Sequence, residues 1–250
     1  MSPRDPPGAD GPERVDLGDA VDRSRPEGVA GWARWAVRTD HPTVGFVREV
    51  LGSVLGVLLV GLLLFAVSGI WPPMVAVESG SMEPHMYRGD LVFVMEEHRL
   101  APSYATGETG VVTYVDATEQ ENYRKFGGYG DVIVFEANGG SSTPVIHRAR
   151  FWVDEGENWV DEADPDYLPS RSCDSVPNCP APHAGFITKG DNNGLYDQVA
   201  GISGPVRPSW VKGTAEFRIP WLGYVRLYFT ELRAGPPSGF VSGPPSGFAS

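Results

Sequence analysis

Residues 51–71, "LGSVLGVLLVGLLLFAVSGIW", contain no charged side chain. As an α-helix this stretch would be about 32 Å long, which is roughly the thickness of the hydrocarbon core of a bilayer. We therefore predict one transmembrane helix at residues 49–71. A cleaved signal peptide would have a shorter apolar region at the extreme N-terminus, so we expect the helix to be retained as an anchor. A helix buried in a protein core is the remaining alternative, and it fits so uniform a run poorly.

The segments on either side of the protein's folded part have biased compositions. Residues 1–30 are rich in Pro, Gly, Asp and Arg, so we predict a disordered cytoplasmic tail. Residues 31–48 form a juxtamembrane segment, in which Trp32 and Trp35 share one helical face, as in helices at a membrane interface. An ordinary linker is the alternative for this segment. Residues 234–250 contain an eight-residue unit repeated twice and are predicted to be a disordered tail.

Basic residues are distributed unevenly around the apolar stretch. Arg34, Arg38 and Arg48 precede it, whereas Arg88 is the only basic residue in a comparable stretch after it. Because basic residues near membrane helices stay on the cytoplasmic side, we predict a single-pass protein of the cell membrane with a cytoplasmic N-terminus. Residues 72–250 then lie outside the cytoplasm.

The extracytoplasmic domain, residues 72–233, has the pattern of a β-rich fold. Short runs of Val, Ile, Phe and Tyr are bounded by Gly, Asn, Asp and Pro, which is typical of strands. The predicted strands are Asp90–Met95, Gly110–Val115, Asp131–Ala137, Thr143–Val153 and Gly185–Gly190. We predict an all-β domain anchored by one N-terminal transmembrane helix. An acidic segment at 154–170 is expected to be a solvated loop, and the aromatic segment Phe217–Leu232 to pack on the domain or lie against the bilayer.

The charge of the chain excludes one class of partner. The formal net charge is −12, and nowhere do Lys and Arg cluster densely enough to bind phosphate, so we expect no nucleic-acid partner. Only three of the twenty basic residues are lysine: Lys125, Lys189 and Lys212. An acidic chain that uses arginine in place of lysine is typical of proteins from salt-loving archaea, although a GC-rich genome would also encode arginine freely.

The two cysteines, Cys173 and Cys179, are separated by five residues. Two thiols cannot form a closed zinc site by themselves, and neither His147 nor His183 stands at a finger-like spacing from them. A local disulfide and two free thiols are both open. We expect neither a metal nor an organic cofactor.

A polar turn, Ser79-Gly-Ser81-Met-Glu-Pro84, follows the apolar stretch. A serine becomes a nucleophile when a base takes its proton and nearby donors stabilise the oxyanion of acyl transfer. His41 falls on the predicted cytoplasmic side, and His85 follows Ser81 too closely to face it from an extended chain. His147, in the apolar run "VIHRAR", is the candidate base, although a lone histidine in a strand is often structural.

Two carboxylates accompany this histidine in the motif "TKGDNNGLYDQ". Asp191 and Asp197 could orient an imidazole and stabilise its charged form. For at least one of them, a bond to its own backbone in an Asx turn is the alternative. The motif alone does not order the two residues.

The order "SGSMEP", "RGDLVFV", "GDVIVF", "VIHR" and "TKGDNN" resembles the successive motifs of the type I signal peptidases, serine peptidase family S26. The bacterial branch has a catalytic lysine where this chain has His147, so the resemblance is to the branch of archaea and the eukaryotic endoplasmic reticulum, and the composition favours a haloarchaeal member. The resemblance implies a β-rich catalytic domain with its active site close to the membrane.

The resemblance also implies the roles of individual residues. Ser81 would be the nucleophile and His147 the general base, with Asp197 as the triad partner and Asp191 as a supporting residue. The oxyanion would be stabilised by the backbone N–H of Ser81 and, as in the bacterial relatives, by the hydroxyl of Ser79. Lys189 matches a motif position without a role as base.

The implied function is removal of signal peptides from secretory preproteins, after small residues at the first and third positions before the cut. The expected partners are these signal peptides, membrane lipid and the secretion machinery. Two alternatives are a membrane protease specialised for one surface precursor, and a non-catalytic membrane-anchored β-domain that binds a partner.

Overall fold

The computed structural model describes residues 28–38, 41–120, 123–140 and 143–234 of the chain. It divides into two units, residues 1–60 and residues 61–250, and each is described by itself. Nearly all of the two predicted disordered tails lies outside the described residues.

The described part of the first unit is helical. Helix α1 is Gly28–Arg38, and helix α2, Pro42–Ser68, begins here and continues into the second unit. Within the described residues, α2 alone is long and apolar enough to cross a membrane, with a mean hydropathy of 2.8 over 18 residues, none of them buried. It begins with a proline, which suits a first helical position.

Helix α2 ends three residues before the predicted boundary at Trp71. Gly69 has a φ of +82°, a left-handed conformation typical of the residue that follows a helix, and Pro72 and Pro73 prevent its continuation. The hydroxyl of Ser68 donates to the carbonyl oxygen of Val94 (2.7 Å), so the end of α2 is bonded to the domain that follows.

The second unit is built on an antiparallel sheet of six strands in the order β1-β2-β8-β5-β6-β7, with a two-stranded ribbon of β3 and β4 beside it. The strands are β1 (Met74–Ala76), β2 (Leu91–Met95), β3 (Arg124–Lys125), β4 (Gly128–Tyr129), β5 (Val132–Phe135), β6 (Val145–Val153), β7 (Gly185–Lys189) and β8 (Val211–Ile219). The helices of this unit are α3 (Tyr114–Glu119), α4 (Asp197–Ala200) and α5 (Gly223–Ala234). The prediction of a β-domain behind one apolar helix is confirmed.

The core explains why four of the five predicted strands are correct. Strand β5 is buried along its whole length, between β8 and β6, and β7 is buried as well. Runs of Val, Ile and Phe of this kind are expected where both faces of a strand are covered. The acidic segment 154–170 is not simply solvated, because the side chain of Trp159 within it is fully buried against Phe151 and Tyr196.

The predicted strand Gly110–Val115 is wrong. Helix α3 begins within it, because Thr113 caps the helix: its hydroxyl accepts from the backbone N–H of Asp116, whose carboxylate bonds back to Thr113. This reciprocal capping box satisfies two backbone donors at a helix start. Local hydrogen bonding therefore overrides the β propensity of the Val-rich sequence.

The segment Phe217–Leu232 forms the end of β8 and most of α5. The guanidinium of Arg226 donates to the carbonyl oxygen of Met74 (2.9 Å), so α5 packs on the domain beside β1, as one of the two alternatives predicted. Trp221 is 78% exposed and Phe229 is 65% exposed. Of the two options for the cysteines, Cys173 and Cys179 form a disulfide.

Asp131, which precedes β5, is buried and accepts hydrogen bonds from the backbone N–H of Val112 (2.8 Å) and the hydroxyl of Tyr123 (2.7 Å). Burial raises the pKa of Asp131 to about 6, outweighing the lowering effect of both bonds. The folded protein therefore binds this proton more tightly than the unfolded chain does, and the stability that it provides below about pH 4 is lost as the pH rises through 6.

We expect this effect to amount to about 3 kcal/mol, since one pKa unit corresponds to about 1.4 kcal/mol. The free energy of unfolding of the protein in detergent, measured at pH 4 and pH 7, should fall by that much more in the wild type than in Asp131→Asn. The asparagine variant is the control for all other titrating groups. If the free energy of unfolding changed equally with pH in the two proteins, Asp131 would not be the source of this pH dependence.

Candidate active site

The turn that carries Ser81 is anchored by its neighbours in the core. Met82 and Met86 are almost completely buried and pack in one cluster with Val92 and Val94 of β2. Ser81 itself is partly exposed. A polar turn is thus fixed to the sheet by two buried thioether side chains, and its serine is presented to solvent.

A second loop, residues 190–193, holds the same turn from the other side. The backbone N–H of Asn192 donates to the carbonyl oxygen of Ser81 (2.8 Å), and its side-chain amide donates to that of Gly80 (3.1 Å). A Cβ at Gly190 would lie only 2.7 Å from the carbonyl oxygen of Ser81, so this position requires glycine for close approach. The motifs "SGSMEP" and "TKGDNN" are therefore in direct backbone contact.

His147 lies on β6, and its ring connects Ser81 to an acid. Its Nε2 is 2.9 Å from the hydroxyl oxygen of Ser81, and its Nδ1 is 2.7 Å from Oδ2 of Asp197. His147 is 4% exposed and Asp197 is completely buried. With Nδ1–H donating to the carboxylate, Nε2 is left to accept the proton of the serine hydroxyl.

Asp197 is the first residue of α4 and is held in place by β7. The hydroxyl of Thr188 donates to the same oxygen, Oδ2, at 2.7 Å. The next residue, Gln198, accepts from the backbone N–H of Thr188 (3.1 Å). These bonds fix the carboxylate toward the imidazole, which is the arrangement of a Ser-His-Asp triad.

Asp191 is bound elsewhere. Its carboxylate accepts two hydrogen bonds from the guanidinium of Arg148 (2.8 and 2.6 Å) and one from Nδ1 of His85 (2.8 Å). Burial alone would raise the pKa of Asp191, but the hydrogen bonds and charge of Arg148, with those of His85, hold it below its usual value. Asp191 is therefore the counter-ion of a buried arginine.

Strand geometry separates the two carboxylates. His147 and Arg148 are consecutive residues of β6, and successive side chains of a strand point to opposite faces. His147 thus reaches Asp197 while Arg148 reaches Asp191. Arg148, which is 1% exposed, also donates to the carbonyl oxygens of Lys125, Tyr129 and Gly130.

Lys189 supports the loop 190–193. Its buried ammonium donates to the carbonyl oxygens of Gly190 (2.9 Å) and Asn193 (2.6 Å) and lies 4.2 Å from the ring centre of Tyr167. Burial, together with the charge of Arg150, lowers the pKa of Lys189. The ammonium makes these bonds to backbone oxygens rather than to Ser81.

A cavity of about 450 Å³ opens beside the serine. The hydroxyl of Ser79, which is exposed, lies 3.2 Å from that of Ser81. The other walls of the cavity are largely apolar and come from the chain after β1 and from the start of β6; they include Ala76, Val77, Met82, Pro144, Val145 and Ile146. Such a surface fits small apolar side chains next to a reactive hydroxyl.

The structure brings together four of the five residues singled out from the sequence, Ser79, Ser81, His147 and Asp197, and it separates Asp191 from the hydroxyl. Sequence reasoning missed Arg148, Thr188 and Asn192. An arginine inside an otherwise apolar strand was a readable signal for a buried ion pair. Glu96, Glu97 and His98 form a small group of ligand atoms within 4.8 Å of one another, but exposed acidic groups of this kind are common without an ion, so we assign no metal to it.

Three fungal proteins are similar to this chain, and each is named signal peptidase complex catalytic subunit sec11. The relative from Neurospora crassa is 28% identical over 162 residues, which cover 64% of each protein. The relative from Aspergillus terreus is 27% identical over 200 residues, covering 74% of this chain and 83% of its own length. That from Saccharomyces cerevisiae is 26% identical over 162 residues, covering 64% of this chain and 66% of its own length.

No protein-family model matches the chain. The matched part spans somewhat less than two thirds of the Neurospora crassa and Saccharomyces cerevisiae proteins. The chain is therefore a distant homologue of the catalytic subunits of fungal signal peptidase complexes.

Proposed function

We propose that this protein is a signal peptidase, a membrane-bound serine endopeptidase that removes signal peptides from preproteins by cutting after small residues. The observation that carries the proposal is the hydrogen-bonded series Ser81, His147 and Asp197, with heavy-atom distances of 2.9 and 2.7 Å. The names of the distant relatives support the same reaction. A non-catalytic binding domain would have no need of this alignment.

Acyl transfer by these three residues proceeds in two steps. As the hydroxyl oxygen of Ser81 attacks the scissile carbonyl carbon, Nε2 of His147 takes its proton and then delivers it to the leaving amine, which is the new N-terminus of the mature protein. Asp197 stabilises the imidazolium that exists between these events. In the second step His147 takes a proton from water, which attacks the ester carbonyl, and then gives that proton to the oxygen of Ser81 as the ester bond breaks and the signal peptide leaves.

The negative charge that develops on the carbonyl oxygen needs hydrogen-bond donors. We propose the backbone N–H of Ser81 and the hydroxyl of Ser79 for this role. The hydroxyl of Ser79 is 3.2 Å from that of Ser81, which places a donor beside the carbon that the nucleophile attacks. Because it is exposed in the free protein, substrate binding would be needed to exclude water around it.

The substrate would bind as an extended strand. Strand β1 is at the edge of the sheet, so its outer backbone groups can pair with a peptide, apart from the carbonyl oxygen of Met74, which accepts from Arg226. Side chains of an extended peptide alternate in direction, so residues one and three positions before the cut would face the apolar cavity together. The same apolar surface would thus select the residues at both positions.

The membrane setting follows from helix α2, which is apolar enough to anchor the protein beside membrane-held preproteins. Confinement of enzyme and substrate to one membrane raises their effective concentration. The arginines that precede the apolar stretch 51–71, namely Arg34, Arg38 and Arg48, favour a cytoplasmic N-terminus and an active site on the outer side. Membrane lipid and the secretion machinery remain proposed partners, and the acidic, lysine-poor composition favours assays in high salt.

A pair of matched preproteins tests the proposal. The full-length protein in membranes should cut a preprotein with Ala at the first and third positions before the bond, and mass spectrometry should find the new N-terminus at that bond. Replacing the Ala immediately before the bond by Leu should lower the rate by about 100-fold, as the proposed preference for small residues at this position requires. Equal cutting of both preproteins, or cutting at another bond, would contradict this specificity.

A further inference from the structure

A second cavity, of about 660 Å³, adjoins the first. The two cavities share five residues of their walls: Ala76, Glu78, Thr143, Pro144 and Ile146. They therefore form one groove, which begins at Ser81 and passes between the end of β1 and the start of β6.

The far end of this groove lies at the chain that follows α2. Its walls there include Ile70, Trp71 and Pro72, together with Val94 and Val134 from the sheet. In a preprotein the apolar segment precedes the small residues and the cut. If the residues of the signal peptide just before the cut occupy the first cavity, the residues that connect them to its apolar segment would thus lie in the second cavity.

Most of the charged side chains that line the second cavity are bonded to other groups of the protein. The ammonium of Lys212 is 3.1 Å from a carboxylate oxygen of Glu136. The guanidinium of Arg226 donates to the carbonyl oxygen of Met74 (2.9 Å). The pair of Lys212 and Glu136 is neutral overall, whereas Arg226 keeps its positive charge and lines the second cavity but not the first.

Glu78 is the exception. Its side chain is exposed, and within the described part of the chain its carboxylate makes no hydrogen bond or ion pair. It contributes to the walls of both cavities, at the junction between them. A peptide that passes from one cavity to the other must run beside this negative charge.

We propose that the second cavity binds the substrate residues that precede the small-residue pair, and that Glu78 at the junction selects against acidic side chains there and favours basic ones. This inference rests on the proposed function. Like charges in direct proximity repel, and at an exposed site the effect is modest and screened by salt. Glu78 would thus determine which side chains are accepted in the segment that connects the apolar part of a signal peptide to its small residues. This selection is separate from the selection of the small residues themselves.

A charge-swap experiment tests the inference. A preprotein series carries either Lys or Glu at one position, taken in turn from the fourth, fifth and sixth residues before the bond. For at least one position, the wild type should cut the Glu form with a kcat/KM about five-fold lower than the Lys form. The difference should disappear in Glu78→Gln, reverse in Glu78→Lys and shrink as salt is raised.

Two controls keep the outcome specific. Glu155→Lys changes an exposed acidic residue outside both cavities and should leave the Lys-to-Glu ratio unchanged. Peptides that begin at the third residue before the bond cannot reach the second cavity, so the wild type should cut them with a lower kcat/KM than peptides that begin at the sixth residue. Identical ratios in the wild type and Glu78→Lys at every position would overturn the inference. If the wild type cuts no member of the series, it is the proposed function that fails.

Discussion

Replacing Asp197 with asparagine should lower kcat for preprotein cleavage by about 10⁴-fold without unfolding the protein. The carboxylate accepts from Nδ1 of His147 and from the hydroxyl of Thr188 through one oxygen. An amide nitrogen in that place would stabilise the tautomer with the proton on Nε2, which cannot accept from Ser81. A loss of this size is known for the same substitution in another Ser-His-Asp triad.

Asp191→Asn is the matched control, because it changes the neighbouring carboxylate in the same way. It weakens the ion pair of Arg148, a buried guanidinium, and should cost about 3 kcal/mol in the free energy of unfolding. At a temperature where the variant is fully folded, its kcat should be reduced far less than that of Asp197→Asn. If folded Asp191→Asn loses as much kcat as Asp197→Asn, the assignment of Asp197 as the triad acid is wrong.

The local sequence pattern was sufficient to predict four strands of the six-stranded sheet. It was not sufficient to predict the edge strand β1 or the central strand β8. Strands β2, β5, β6 and β7 are short apolar runs that any strand pattern detects. Strand β1 has only three residues, and in β8 the apolar residues are interrupted by Lys212, Gly213, Thr214, Glu216 and Arg218, so neither forms such a run. Strand β8 is nevertheless central, pairing with β2 and β5, because tertiary contacts override a weak local preference.

For the site, the residues alone left the order of the two acids open, and only the family resemblance assigned Asp197 to the triad. Sequence motifs identify Ser81, His147 and two aspartates, but they carry no information on side-chain direction. Arg148 follows His147 on the opposite face of β6 and binds the carboxylate of Asp191, whereas His147 binds that of Asp197. This difference distinguishes the two acids. A pairing of residues 43 positions apart in sequence cannot be read from a motif.

Replacing Ser81 with alanine should have the largest effect of all. Removing the nucleophile of a Ser-His-Asp triad lowers kcat by about 10⁶-fold. The hydroxyl of Ser81 bonds only to His147 and Ser79 among the described residues, whereas the turn is held by the buried Met82 and the backbone bond from Asn192. The variant should therefore fold normally, with a change in stability of no more than about 1 kcal/mol.

The central claim is that this protein removes signal peptides with Ser81 as its nucleophile. Its most direct test is to incubate a preprotein carrying Ala at the first and third positions before its cut site with membranes containing either the wild type or Ser81→Ala, and to determine the N-terminus of the product by mass spectrometry. We expect the mature N-terminus from the wild type alone. Release of the same mature N-terminus by folded Ser81→Ala would contradict the claim.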